Sequence, residues 1–510
     1  MQDNKKKLTI SIIVLLLIVL VAGITYALWN TSDSQNGTNS IVAANCLDYN
    51  IETLTEEIDF SNLVPVSDTD GNSTEGHTFT IENTCDNLLN YDINIEGLDS
   101  VSSANRLNLQ YIKVSIDGVI YGNLASLNTT DSVLDSSVGT AYDTRKIVTK
   151  VLHPLDTNEH TIRLWLDENT PQTMVNKQYK GVISISASYY NAGSTTAVDY
   201  ITALKTNGDT SLLYDETTDN NLRYVGANPD NYVWFNDELW RIIGVMNNVD
   251  GGTVSGNAAT RVKIIKADEL GDIYWDAECD LQGNGTCSEG DYYNNWNEAT
   301  LKTLLNSAYL NRTVSTEFNY GKLRGQANVG WNKFDLTNIG IRSYDKSLAE
   351  AATYYLGGPQ EDDSAEYYYE TMTANDYYSA ERSSNVYSGN PTSWTGVVAL
   401  MYPSDYGYAT AGETTTNRTA CMAKELYNWD SNDVSDCKNN DWLLDSSYYQ
   451  WTITPSASGS DYAVSVGTDG YVSLDDNVDN VYRVRPVLYL KSTVKIAGGS
   501  GTTTDPYIIY

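Results

Sequence analysis

Apolar and polar residues alternate through NYVWFNDELWRIIGV, from Asn231 to Val245, and the alternation reverses about Asn236-Asp237. A period of two on both sides of an Asn-Asp pair predicts a β-hairpin with those residues at its tip. On the second strand Trp240, Ile242 and Gly244 fall on one face, and Arg241, Ile243 and Val245 on the other. Both faces are largely apolar, so the strand is expected at the centre of a sheet, with Trp240 in the core.

The same pattern divides the chain. Between Trp29 and Asn191, short alternating runs such as HTFTIENT, YIKVSIDGVIYG and YKGVISISASYY are separated by turn residues. That spacing predicts an antiparallel β-sandwich. Near Ala192 the texture changes, and an apolar period at Val198, Ile201 and Leu204 predicts a short helix. Further helices are expected in NEATLKTLLNSAYLN, DKSLAEAATYYLGG and CMAKELYNWD, between strands and irregular loops, which makes residues 193–510 an α+β domain.

Ahead of both lies a different signal. Three lysines precede an uncharged apolar run from Leu8 to Ala27, long enough to cross a bilayer with the lysines on the cytoplasmic side. Thr25-Tyr26-Ala27 also fits a cleavage site, so residues 1–27 are a signal peptide or a membrane anchor. Either way residues 28–192, the sandwich, and residues 193–510 are expected outside the membrane, at the cell surface or secreted. A formal charge of −34 over 510 residues argues against nucleic acid as a partner. Six cysteines fall in three close pairs, Cys46 with Cys85, Cys279 with Cys287 and Cys421 with Cys437, which in an exported chain predicts disulfides.

Catalytic signatures are sparse. The only histidines, His77, His153 and His160, precede the second domain, and neither GxSxG, HExxH nor a phosphate-cradling glycine loop occurs. The chain is therefore not expected to be an enzyme, although its many carboxylates leave a surface glycan hydrolase as one alternative. One loop, DLQGNGTCSEGD, spaces Asp280, Gln282, Asn284 and Asp291 as a calcium loop does, with Gly285 at the sharp turn, which makes calcium the one cofactor to consider. It ends in Asp instead of Glu, and a Cys279–Cys287 bridge would cross it. The alternative is a disulfide-closed turn.

Tyrosine crowds the loops between residues 360 and 410. Tyr367, Tyr368, Tyr369, Tyr377, Tyr378 and Trp394, then Tyr402 and Tyr406, are the candidate ligand-binding residues, because Tyr supplies stiff amphipathic contact area beside the hydrogen-bonding Ser and Asn. The competing reading is that tyrosine replaces the scarce phenylalanine in packing.

Two stretches carry family resemblances. The segment HPLDTNEHTIRLWLDENTPQTMVNKQYKGVISISASYY, with YALW behind the apolar run, resembles the exported β-sandwich domains of the TasA and camelysin type of Gram-positive bacteria. LWRIIGV, QWTITPS, DGYV and RVRPVLYL resemble, in order and spacing, a domain of surface proteins of gut Firmicutes that is similar to the C-type lectin and formylglycine-generating-enzyme folds. Together they imply a surface protein that adheres to a glycan or protein ligand through loops of a C-type-lectin-like domain, with the sandwich as a stalk. The alternatives are a structural component of surface fibres and the glycan hydrolase. Arg485, in RVRPV, is expected to be paired and partly buried.

Overall fold

The computed structural model describes residues 47–50, 58–60, 64–84, 88–134, 139–154, 156–174, 176–189, 195–250, 258–277 and 293–510. The Leu8–Ala27 run, Cys46, Cys85, Cys279, Cys287 and the proposed calcium ligands Asp280, Gln282, Asn284 and Asp291 lie outside these residues. No helix among the described residues is long and apolar enough to cross a membrane. The chain separates into two compact units, residues 1–191 and 192–510, and strand predominates over helix in a multidomain, β-rich architecture.

The first unit holds two five-stranded sheets. One runs Leu47–Asn50, His77–Asn83, Thr157–Leu166, Ile112–Ile116, Val119–Asn123; the other runs Ile58–Phe60, Tyr179–Tyr189, Leu89–Leu98, Ala141–Leu152, Asn128–Thr129. Their strands pair antiparallel, and the inward residues form one core that includes Ile81, Ile93, Val114 and Ile162. Ahead of the strand His77–Asn83 lies a single helical turn, Asp68–Gly71, capped by the Ser67 hydroxyl. Asp117 and Gly118 both take positive φ between Ile116 and Val119, the backbone that a two-residue hairpin demands.

A polar chain, buried at Tyr91 and His160 and open to solvent at Asp117, ties that turn to the sheet. His160 Nδ1 lies 2.8 Å from Asp117 Oδ2, its Nε2 lies 2.6 Å from the Tyr91 hydroxyl, and Lys150 donates to Asp117 at 2.8 Å. Burial and then the Lys150 charge depress the His160 pKa below its ordinary 6.5, against the pull of Asp117. A neutral folded histidine that charges more readily when unfolded makes the unfolded state bind the extra proton, so stability falls as pH drops through 6.5. In urea unfolding of the full chain in detergent micelles, the first unit is expected to weaken between pH 7.5 and 5.5, with the slope flattened in His160→Asn. Equal slopes in the two proteins would refute this assignment.

The second unit is built on a ten-stranded and a seven-stranded sheet. In the larger, Glu238–Asp250 sits between Tyr232–Phe235 and Ala258–Lys266, with Leu222–Tyr224 also paired to it and Val487–Leu490 beyond Ala258–Lys266. Asn236 and Asp237 have φ of 58° and 60°, as a two-residue hairpin loop requires, and Trp240 is fully buried against Phe235. Simple alternation fails at Ile243. The pairing slips between Ile242 and Gly244 as in a β-bulge, so the two faces predicted from alternation do not continue past Ile242. The smaller sheet includes Gln450–Pro455, Tyr462–Val466, Val472–Asn477 and Tyr482–Val484.

The helix Ala197–Thr206 is capped by Thr196 and buries Ala197 and Ile201, while Thr300–Leu304 continues as a wider turn through Tyr309. The expected helix in DKSLAEAATYYLGG stops at Leu348. Ala349 turns extended there and pairs with Leu490, so sheet pairing overrides the helical propensity of Ala-Glu-Ala-Ala. Cys421 and Cys437 are joined, closing one side of the unit between the helices Arg418–Met422 and Ser435–Asn439. Arg485 is half-buried and paired, as expected, donating to the Lys266 carbonyl and the Gln450 side chain, with burial lowering its pKa to about 10.

Candidate functional site

A cleft opens over the large sheet of the second unit, where Leu222–Tyr224, Glu238–Asp250, Ala258–Lys266 and Val487–Leu490 meet the ends of two helices. Its hub is Asp405, third residue of the helix Pro403–Tyr408. Asp405 accepts from the Tyr402 backbone at 2.9 Å in a capping box, from Arg223 Nη1 at 2.5 Å and from Lys263 Nζ. Arg223 also donates to Asp215 at 3.0 Å, and Asp215 takes four further bonds from Thr217 and Asn221. Arg223, Lys263, Asp405 and Asp215 are all buried.

Burial alone would raise the pKa of Asp405, yet the Lys263 and Arg223 cations hold it down to about 2. Asp215 is likewise lowered against burial by Arg223, Asn221 and Thr217. Glu381, at the end of the helix Ala374–Glu381, behaves oppositely. Burial pushes it up to about 7, although it accepts from the Ser404 backbone and hydroxyl and from Arg382.

The mouth is formed by Arg382 and Asp219, each about one quarter exposed, with Arg382 Nε 3.8 Å from Asp219 Oδ2. A second bulge, between Met246 and Val249, puts Asn248 at positive φ and lets its amide reach Asp219 at 2.8 Å. The Asn247 amide holds the Asp219 and Asn220 carbonyls. The enclosed part of the cleft measures about 30 Å³, room for about two waters.

The tyrosines predicted as a ligand-binding loop face separate into different environments. Tyr369, Tyr377, Tyr378, Tyr402 and Tyr406 are buried, so for these the packing alternative prevails. Tyr377 and Tyr378 lie on a capped helix, Tyr402 caps the next one, and Tyr406 donates to the Gly470 carbonyl. Tyr402 still lines the cleft, and the Tyr378 hydroxyl donates to Asp219 at its mouth. Trp394 packs half-buried against Tyr354 and Trp296, and Tyr367 packs half-buried against the same core.

Tyr368 and Tyr369 open a strip of ring contacts that the sequence does not single out. Ring centroids follow at 5.4 Å from Tyr368 to Tyr369, 5.4 Å to Tyr427, 6.4 Å to Tyr471, 6.3 Å to Tyr449 and 4.9 Å to Tyr482. All but Tyr369 are half-buried. The Tyr449 and Tyr471 hydroxyls are 2.9 Å apart, the Tyr482 hydroxyl donates to Asp476 at 2.5 Å, and Arg483 lies 3.6 Å over the ring of Tyr448, which is 47% exposed.

Among the described residues no cluster of His, Cys, Asp and Glu could hold a metal. The carboxylates lining the cleft are Asp219 and Asp405. Asp405 is saturated by two cations and a backbone N–H, so the pair that a hydrolytic mechanism needs is not assembled there. A β-rich surface with aromatic contacts and a charged cleft is what the site defines. Comparison of the chain with protein-family models, curated proteins and solved structures returns no match.

Proposed function

We propose that this is an exported surface recognition protein whose C-terminal unit binds a glycan along the strip from Tyr368 to Tyr482. The observation that carries this reading is the strip itself: five half-buried tyrosines drawn from separate segments and linked by ring contacts. A sugar offers an apolar C–H face to such rings and hydroxyls to their phenols, so a row of tyrosines suits an extended chain of sugars better than one compact ligand. On this reading the second unit is a divergent relative of the C-type-lectin-like domains that LWRIIGV and RVRPVLYL resemble. The first unit is a TasA- or camelysin-like stalk, and the Leu8–Ala27 segment is its export signal or anchor.

The test is a glycan array probed with the full chain in detergent micelles, followed by affinities for Tyr448→Ala, Tyr449→Ala and Tyr427→Ala. Wild-type binding to an oligosaccharide is expected to weaken at least about tenfold in Tyr449→Ala, the scale of losing one aromatic anchor, with the melting temperature kept within a few degrees. Silence of the wild-type array, or variants that bind as the wild type does, would reject the strip as the site.

A further inference from the structure

The cleft holds chemistry that the ring strip does not use. Three cations, Arg223, Lys263 and Arg382, line it beside two carboxylates, Asp219 and Asp405. Two of the cations are spent, since Arg223 bridges Asp215 and Asp405 and Lys263 is paired with Asp405. Arg382 is different. Its Nη1 donates to the Tyr378 carbonyl at 3.2 Å and to Glu381 at 3.1 Å, while Nε has no acceptor and Nη2 donates to no described protein atom. The guanidinium lies 3.4 Å over the Tyr378 ring, which fixes its plane, and the nearest carboxylate to its Nε–Nη2 fork, Asp219 Oδ2, stands 3.8 Å from Nε, beyond hydrogen-bond reach.

We propose that this cleft binds the carboxylate of an acidic sugar on the free edge of Arg382. The fork matches the two oxygens of a carboxylate, and the enclosed volume of about 30 Å³ accommodates about two oxygens in place of two waters. Around it the lining offers Thr353, Tyr355 and Asn248 to hydroxyl groups. That lining suits a sugar ring, and it has no broad apolar recess for the side chain of a peptide. The long-range field of an acidic protein slows the approach of an anion, and the contact pair sets how long it stays. The inference is independent of the tyrosine strip, which lines no part of the cleft.

The probe is glucuronate titrated onto the full chain in detergent micelles by calorimetry or ligand-observed NMR, against glucose and against N-acetyl-diglycine, a peptide-like carboxylate. Saturable glucuronate binding is expected with glucose silent. Arg382→Gln should weaken it at least about tenfold, as expected for a lost charge-assisted pair. Arg382→Lys keeps the charge but not the fork, and should also bind more weakly. Asp219→Asn should bind more tightly, because it removes the carboxylate that competes for Arg382, so the proposal stays testable even if the Arg382 variants fail to fold. Binding to the tyrosine strip should be unchanged in all three. No glucuronate binding, binding unaffected by both Arg382→Lys and Asp219→Asn, or binding of N-acetyl-diglycine alone would overturn it.

Discussion

Replacing Asp405 with Asn should destabilise the second unit by at least about 3 kcal/mol, the scale of breaking a buried ion pair from one side. Asp405 joins Lys263 and Arg223, both buried, and its carboxylate also caps the helix that begins at Pro403. An amide in its place keeps the size and part of the cap but leaves Lys263 without its ion-pair partner and Arg223 with Asp215 alone. Their desolvation then goes uncompensated. Urea unfolding followed by tryptophan fluorescence measures the loss. Lys263→Met combined with Asp405→Asn should recover part of it, since one unpaired charge is removed. The same carboxylate makes the wild type acid-sensitive. Its folded pKa, about 2, lies below the ordinary 3.8, so its contribution is complete above pH 3.8 and is lost as pH falls toward 2. A loss of less than about 1 kcal/mol in Asp405→Asn would mean that the two cations find other partners.

The sequence shows this architecture unevenly, for physical reasons. The hairpin at Asn236-Asp237 and the helix at Ala197–Thr206 are legible because each is decided locally, by two turn residues at positive φ and by a threonine cap over an apolar stripe. The end of the helix at Leu348 is not, since it depends on Leu490, far away in the chain, offering a pairing edge to Ala349. The candidate sites follow the same division. Density of tyrosine points to residues 367–378, but density says nothing about which rings turn inward, and Tyr377 and Tyr378 turn inward because their helix is packed on that side. Tyr427, Tyr449, Tyr471 and Tyr482 look unremarkable one by one, and only the fold brings their rings into contact. The ionic cluster is hidden more thoroughly. Asp215, Arg223, Lys263, Glu381 and Asp405 come from five segments, and each taken alone reads as an ordinary solvated charge. LRYVG, in which Arg223 is flanked by Leu222 and Tyr224, is the one local sign that a cation is held inside a sheet.

Gly244→Ala should be as damaging as the loss of Asp405, although it adds a single methyl group. Gly244 is paired with Arg223, and a Cβ there would meet the Leu222 carbonyl oxygen at 2.2 Å and the Arg223 Cα at 3.1 Å. Both are backbone atoms held in register, so neither can swing aside as a flexible side chain would. The Leu222–Tyr224 strand must separate from Glu238–Asp250, and with it moves the guanidinium that links Asp215 to Asp405. Overpacking of this kind costs about 1–3 kcal/mol where side chains can adjust, and the upper end or more is expected where only backbone can. Two measurements separate strain from a general loss of fold. Urea unfolding should show a lower midpoint with an unchanged slope, and glucuronate affinity in the remaining folded protein should fall, because Arg223 no longer holds Asp405 against the floor of the cleft. An alanine variant as stable as the wild type would show that the strand pair slides apart without cost. The close approach of these two strands would then not be what positions the charges beneath Arg382.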